Sequence, residues 1–270
     1  MSDALIPVAT SVAVVEEADL ERRFGGLRRL YGDAGYARLR AARVAVVGVG
    51  GVGSWAAEAL ARCGVAALTL VDLDHVAESN IHRQVQALGR TLGQAKVLAL
   101  AERIADIHPG CAVHAVEEFA AASNWPGVLG GAVDLVIDAC DQSAAKVAIA
   151  AWALAGGAAV VCVGAAGGKR LAQQVDTADL AEVTHDPLLA SLRQRLRRDH
   201  GAARQGPIGL RCVFSRENVA APATGLAQGG GLNCQGYGST VVVTASFGLA
   251  AAGEAVERLL APPAPGSGQG

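Results

Sequence analysis

The sequence predicts an α/β fold: a doubly wound, mainly parallel sheet with a C-terminal elaboration. Three observations predict it. Val44 to Val47 is an apolar strand-like run that passes through Gly48-Val49-Gly50-Gly51-Val52-Gly53 into the helix-forming stretch from Ser54 to Cys63. Further short apolar runs, Ala67 to Val71, Ala112 to Val116, Val133 to Ile137 and Ala158 to Val163, alternate with helical patterns, as in βαβ units. Aspartates cluster at the ends of two of these runs, Asp72 and Asp74 after the second and Asp138 and Asp141 after the fourth. The chain has 270 residues and is 51% hydrophobic, enough to bury a full core.

Residues 1–18 show no clean period and are expected to form a mobile leader. Asp3, Glu16, Glu17 and Asp19, without a basic opening, argue against a signal peptide. Asp19 to Ala42 reads as helix, turn, helix. Leu27, Leu30 and Tyr31 make one apolar face and Tyr36 and Leu39 the next, with Arg22, Arg23, Arg28, Arg29, Arg38 and Arg40 around them.

Gly48, Gly50 and Gly53 fit G-x-G-x-x-G, which makes the sheet Rossmann-like. The first glycine permits the turn, the second lets phosphate approach the backbone, and the third lets helix and strand pack closely. Strand, tight turn and helix start bring backbone N–H groups and a positive helix end to phosphate. The motif alone does not separate NAD, FAD and ATP. Asp72, at the end of the second strand, suits the ribose hydroxyls of any of them.

The next stretch separates them. Asn80, Arg83 and Gln84 sit in a polar loop, and Lys96 lies in the first turn of a helix that continues through Val97, Leu100 and Ile104. A guanidinium and an ammonium converging on the nucleotide neutralise a triphosphate; a dinucleotide that moves a hydride has little use for them. Asp138 and Asp141 point into the crevice if the fourth strand is parallel, and Asp141 is also placed to cap the helix Ser143 to Leu154. Gly164 to Gly168 is a loop of small residues after the fifth strand, with room for an acyl group.

In the second half, Asp186 and Pro187 form a helix start, and Leu188, Leu189, Leu192 and Leu196 form its apolar side. Arg193, Arg195, Arg197, Arg198 and Arg204 follow as a basic cluster. Thr240 to Leu260 reads as a terminal helix. Its apolar part, Thr240 to Ala252, is too short for a membrane span and is read as buried. Net charge is −2, so nucleic-acid affinity must be sought locally. The six cysteines form no C-x-x-C pair, which argues against a four-thiolate zinc site. Their scatter through apolar strands suits reduced thiols in a cytoplasmic protein.

The combination G-x-G-G-x-G-S, D-x-D, N-x-x-R-Q and G-x-x-K resembles the ubiquitin-activating-enzyme superfamily. That resemblance implies ATP binding and carboxylate activation. Carried over by position, Gly50 and Gly51 line the phosphates, Asp72 holds the ribose, and Asn80, Arg83, Gln84 and Lys96 surround the phosphates. Asp141 matches the family's Mg²⁺-binding aspartate and Asp138 supports it. A monovalent cation is a further candidate.

R-F-G-G-x-x-R-L-Y-G at Arg23 to Gly32, the D-P-L at Asp186, C-V-F-S at Cys212 and C-x-G-Y-G at Cys234 narrow the resemblance to the tRNA threonylcarbamoyladenosine dehydratase branch. It covers about residues 22–260. The implied reaction is ATP-dependent cyclising dehydration of the modified adenosine beside the anticodon, with Arg83, Lys96 and Asp141 as the catalytic set. The implied partners are tRNA, met by the arginine cluster, and a second copy of the chain. A cysteine desulfurase or sulfur-acceptor system is a candidate partner, with Cys234 a candidate functional thiol. Gly26 stands where many relatives carry an arginine, so Arg23 or Arg29 would have to reach a partner's ATP. The expected organisation is a leader, one ATP-binding domain over 19–261 whose elaboration spans about 170–261, and a flexible tail over 262–270. The competing readings are an adenylyltransferase for a sulfur-carrier protein, an NAD-dependent oxidoreductase, and a nucleotide-binding module without turnover.

Overall fold

The computed structural model describes residues 18–221 and 237–261. All but the last residue of the expected leader over 1–18, the tail over 262–270 and Cys234 lie outside the described residues. The described strands form one sheet in the order β3-β2-β1-β4-β5-β7-β6. They are β1 (Arg43–Val47), β2 (Ala67–Val71), β3 (Ala112–Val116), β4 (Leu135–Asp138), β5 (Ala159–Val163), β6 (Val175–Asp179) and β7 (Arg211–Ser215). All pairings are parallel except β6 with β7. The order reverses direction between β1 and β4, which opens a crevice at the carboxyl ends of both strands.

Helices cover both faces. They are α1 (Leu20–Ala41), α2 (Gly53–Arg62), α3 (Lys96–Ile107), α4 (Ser143–Leu154), α5 (Pro187–Asp199) and α6 (Val241–Leu260). Side-chain alternation along β1 shows the double winding. Val44 and Val46 pack into the core beneath α2, α3 and α6, and Ala45 and Val47 into the core beneath α4 and α5. The apolar positions of α3 and α5 expected from spacing are the buried ones. α6 is a core helix, with Val243, Phe247, Ala251 and Ala255 fully buried. No described helix is long and apolar enough to cross a membrane. A Cβ on Gly248 would stand 2.5 Å from the Val52 carbonyl oxygen, so a glycine there lets α6 cross the first turn of α2.

Three details differ from expectation. β6 and β7 join the sheet although the sequence reading assigned no strands there; the polar residues Asp176, Thr177 and Asp179 break the alternation that would reveal the edge strand β6. β4 begins two residues later than expected. In α1, which breaks at Gly32 (φ 71°), Leu30 is 71% exposed rather than core-facing. Phe24 takes the inward position instead, its ring centroid 4.7 Å from that of His108.

His108 joins α1 to the sheet. Arg40 Nη1 lies 2.7 Å from His108 Nε2 and also donates to the Gly64 carbonyl. A guanidinium only donates, so Nε2 must accept and the ring is neutral. Burial, then the charges of Arg40 and Arg23, push its pKa below the usual 6.5. The unfolded chain therefore takes up this proton first as pH falls. Stability supplied by neutral His108 is complete above about pH 6.5 and is lost on acidification through the lowered folded value. The melting temperature of the wild type should therefore fall more steeply between about pH 7 and 5 than that of His108→Gln, which cannot titrate there. Equal slopes would remove His108 from the acid response.

Candidate active site

The site is built on the turn between β1 and α2. Gly48 has φ 82°, and its N–H continues the ladder to Val71 O at 2.8 Å. A Cβ on it would stand 2.9 Å from Cys140 N. A Cβ on Gly53 would overlap the Gly48 carbonyl. Val49 N–H donates to Asp72 Oδ2 at 2.8 Å, and the Val49 carbonyl accepts from Gln86 Nε2 at 2.9 Å. The turn is thus pinned from both sides. Among the described residues, the N–H groups of Gly50, Gly51 and Val52 make no hydrogen bond, and no side chain caps α2. An uncapped helix N-terminus facing a crevice is an anion site.

That crevice encloses about 740 Å³ and is lined from five strand ends. From β2 come Asp72 and Asp74. Asp72 is nearly buried, which raises its pKa against the opposing pull of Lys96; its second oxygen accepts Asp74 N–H at 2.9 Å. Lys96, the first residue of α3, is buried and pairs with Asp74 at 2.6 Å. The loop before α3 brings Arg83, whose Nη1 donates to the Ser79 carbonyl at 2.7 Å. Its own carbonyl accepts from Trp55 Nε1 at 3.0 Å and from Thr244 Oγ1 of α6 at 3.5 Å. Asn80 is buried and accepts Ala77 N–H at 3.0 Å, so its carboxamide shapes this loop. Gln84 is buried beside it and also lines the crevice.

β4 delivers Ala139, Cys140 and Asp141 to the crevice, and β5 delivers Gly164, Ala165 and Ala166. Asp141 is exposed. It is not the cap of α4: that position belongs to Gln142, and no side chain makes a capping bond. Asp138 corrects the sequence reading. It is fully buried and paired at 2.9 Å with Lys146, equally buried, so its carboxylate faces the interior and does not line the crevice. Burial and the Asp138 charge push the Cys140 thiol well up, which makes it unreactive. Gly164 leaves space for Asp186, whose Oδ2 accepts Ala165 N–H at 2.8 Å while Oδ1 caps α5 through Leu189 N–H at 2.9 Å.

A family model described as the ThiF family matches residues 23–268. The chain belongs to the ThiF family. The tRNA threonylcarbamoyladenosine dehydratase of Escherichia coli (strain K12) is 38% identical over 262 residues, 93% of this chain and 98% of its own. A crystal structure of E. coli tRNA N6-threonylcarbamoyladenosine dehydratase in complex with ATP superposes with a TM-score of 0.81 at 39% identity, covering 88% of this chain and 94% of that one. One of the complex with AMP superposes with a TM-score of 0.80 at 40% identity over the same shares of the two chains.

In this ThiF-family chain the arginine cluster does not present five free guanidinium groups. Arg193 Nη1 donates to the carbonyls of Leu180 and Val183, both at 2.9 Å. Arg195 reaches Ser143 O at 3.3 Å, and Arg197 reaches Ala203 O at 3.0 Å. Arg198 pairs with Asp199 through two nitrogens, and Arg204 is exposed. Arg23 donates to the carbonyls of Asp106 and Ile107 at the end of α3, so it is a strut of α1; Arg29 is exposed. Cys212 is fully buried in β7. The sequence reading missed Glu118 and Phe119, which line the crevice just beyond β3. The strand-end rule that found Asp72 would have found them. Thr244 and Trp55 had no local signal, because their role is a contact across the chain.

The turn geometry separates two glycines. Gly48→Ala places a Cβ against backbone at a positive φ and should lower unfolding free energy by about 2 kcal/mol or more in urea titrations. At Gly50 the nearest atom to a Cβ is Gln84 Nε2, 4.0 Å away. Gly50→Ala should therefore cost less than about 1 kcal/mol, yet weaken ATP binding measured by calorimetry, because a methyl group there would crowd the open N–H groups at the α2 N-terminus.

Proposed function

We infer that this chain is an ATP-dependent tRNA threonylcarbamoyladenosine dehydratase. One observation carries the reading: in a chain similar over nearly its full length to such dehydratases, one of which binds ATP, the uncapped α2 N-terminus, Arg83 and Lys96 converge on a single crevice. The threonine side chain of the modified adenosine ends in a carboxylate, which resists attack because oxide is a poor leaving group. Attack of that carboxylate on the γ-phosphorus of ATP forms an acyl phosphate and releases ADP; attack on the α-phosphorus forms an acyl adenylate and releases pyrophosphate. The carbamoyl group of the same side chain then attacks the acyl carbon, closes the ring and expels the phosphate-bearing group. The balance is the loss of one water from the nucleoside. Ring closure within one molecule has a high effective molarity, so the protein mainly orients and neutralises.

Each residue has a part in this. The N–H groups at Gly50 to Val52 meet phosphate oxygens, Arg83 and Lys96 take up the charge that develops there, and Asp72 accepts from the ribose. Phe119, 42% exposed in the crevice lining, offers a face for the adenine. The small residues Gly164 to Ala166 leave room for the acyl group. Mg²⁺ fits the donor set. No group of three or more His, Cys, Asp or Glu is poised for metal among the described residues, but Mg²⁺ asks only one or two carboxylates beside phosphate oxygens and water. Asp141 would hold it, and the ion would supply charge neutralisation.

Residues 19–261 act as one ATP-binding unit in this reading, and a homodimer would bring Arg29, rather than the tethered Arg23, toward a partner's nucleotide. tRNA would meet Arg198 and Arg204 through phosphate, making binding salt-sensitive. The protein works in the cytoplasm, where its tRNA substrate is found. Cys234 and a sulfur-transfer partner remain outside the chemistry, since ring closure needs no protein nucleophile.

Incubation with threonylcarbamoyl-modified tRNA, ATP and Mg²⁺, followed by mild digestion and mass spectrometry, should show ATP-dependent loss of one water from the modified adenosine. Arg83→Ala should reduce turnover about 100-fold or more. Asp141→Asn should raise the Mg²⁺ concentration needed for half-maximal rate. An unchanged nucleoside with retained ATP binding would remove tRNA as the substrate.

A further inference from the structure

A fully buried ion pair lies behind the crevice rather than in it. Lys146, in the first turn of α4, has no solvent exposure, and neither has Asp138 at the end of β4. Lys146 Nζ meets Asp138 Oδ2 at 2.9 Å, the Val163 carbonyl at 3.0 Å and the Asp138 carbonyl at 3.2 Å. Cys162 Sγ lies 3.6 Å away. An ammonium has three protons, and here each has an oxygen to meet. The Asp138 carboxylate is used as fully. Its other oxygen takes the Cys140 thiol at 3.0 Å and faces Cys140 N–H at 3.3 Å.

Stability alone does not call for such a pair. Removing two charges from water costs several kcal/mol each, and apolar residues of similar volume often serve a core as well. What the ammonium does that a leucine could not is bind two strand ends at once. The Asp138 and Val163 carbonyls are the last of β4 and β5, neighbouring parallel strands. One strand leads into Cys140 and Asp141, the other into Gly164 to Ala166, and both segments line the crevice. Through Asp138, the same ammonium orients the peptide of Cys140, the residue before Asp141.

We propose that Lys146 is a positioning residue for carboxylate activation: it sets the gap between the Asp141 segment and the Gly164–Ala166 segment, in which the substrate carboxylate meets the nucleotide phosphate. The proposal rests on the dehydratase reading and deepens it. Lys146 touches neither substrate nor nucleotide. Arg83, Lys96 and the α2 N-terminus come from other segments of the chain, so these groups stay in place when Lys146 is altered, and of the groups assigned to the nucleotide only Asp141, where Mg²⁺ would sit, moves with the segment.

The test compares wild type, Lys146→Met, the double variant Asp138→Asn/Lys146→Met, and Lys146→Arg. Melting temperature, ATP affinity by calorimetry without Mg²⁺, and kcat and KM for dehydration of modified tRNA are measured on each. Lys146→Met leaves a buried carboxylate unpaired and should melt well below wild type. The double variant leaves no unpaired charge and should recover most of that loss. Its affinity for ATP and its KM for tRNA should stay within about threefold of wild type, while kcat falls about tenfold to a hundredfold, as for a displacement of about 1 Å at the reacting groups. A double variant with wild-type kcat overturns the proposal, as does a loss of kcat matched by an equal loss of ATP affinity. Should the double variant not fold, Lys146→Arg decides. Its planar fork does not reproduce the three-way contact, so the same selective fall in kcat is expected, and an unchanged kcat in a folded Lys146→Arg overturns the proposal. Wild-type turnover separates the two claims: without it the dehydratase reading fails, whatever the variants do.

Discussion

The contact between Gly53 and the Gly48 carbonyl is the constraint on which the rest of the site depends. No side chain fits between them, so α2 can start directly against the end of β1. That closeness directs the open N–H groups of Gly50 to Val52 outward into the crevice instead of into the core. From the other side, α6 presses on the same helix turn, and Gly248 is what allows the approach. The anion site is therefore a by-product of packing: two glycines bring backbones together, and the unsatisfied helix end is left facing the only direction still open.

The charges around that site are held rather than loose. Lys96 is drawn to Asp74, Arg83 to the Ser79 carbonyl, and the Arg83 backbone to Trp55 and Thr244. A side chain already held in place loses little freedom when phosphate arrives, so more of its attraction acts on the reacting centre. Asp72 is restrained in the same way by two backbone N–H groups. On the far side of the crevice the pair Lys146 and Asp138 repeats the pattern out of contact with the ligand. The crevice thus has a charged wall that would meet the nucleotide and a second, concealed pair that joins the strand ends opposite it.

Much of this was legible in the chain. Hydrophobic period and glycine spacing placed β1, α2, β2 and α4 to within a residue, and the starts of α3 and α5, because those signals are local. Asp72 and Asp141 were legible as crevice residues for a related reason: in a parallel sheet, the residue after a strand has one place to go; Arg83 and Lys96 were legible from the polar loop and the helix start that follow β2, together with the family resemblance. β6 escaped notice because an edge strand carries polar residues, and Leu30 was misplaced because a helical face does not say which of its apolar residues finds a partner. Asp138 and Asp141 look equivalent in sequence, three residues apart, yet one is buried against a lysine and the other is exposed.

The sequence by itself determined the fold class, the glycine turn and the identity of the cations that line the crevice. These depend on interactions within a few residues, on strand alternation and on the stereochemistry of glycine, all of which are written along the chain. Tertiary structure decided which charges face the ligand and which are internal. Lys146 meets Val163, Arg193 meets Leu180, Arg23 meets Asp106 and Thr244 meets Arg83 only after the sheet has assembled. A long basic side chain reaches several ångströms in any direction, so its partner is set by the surfaces that folding brings near it and not by its neighbours in sequence.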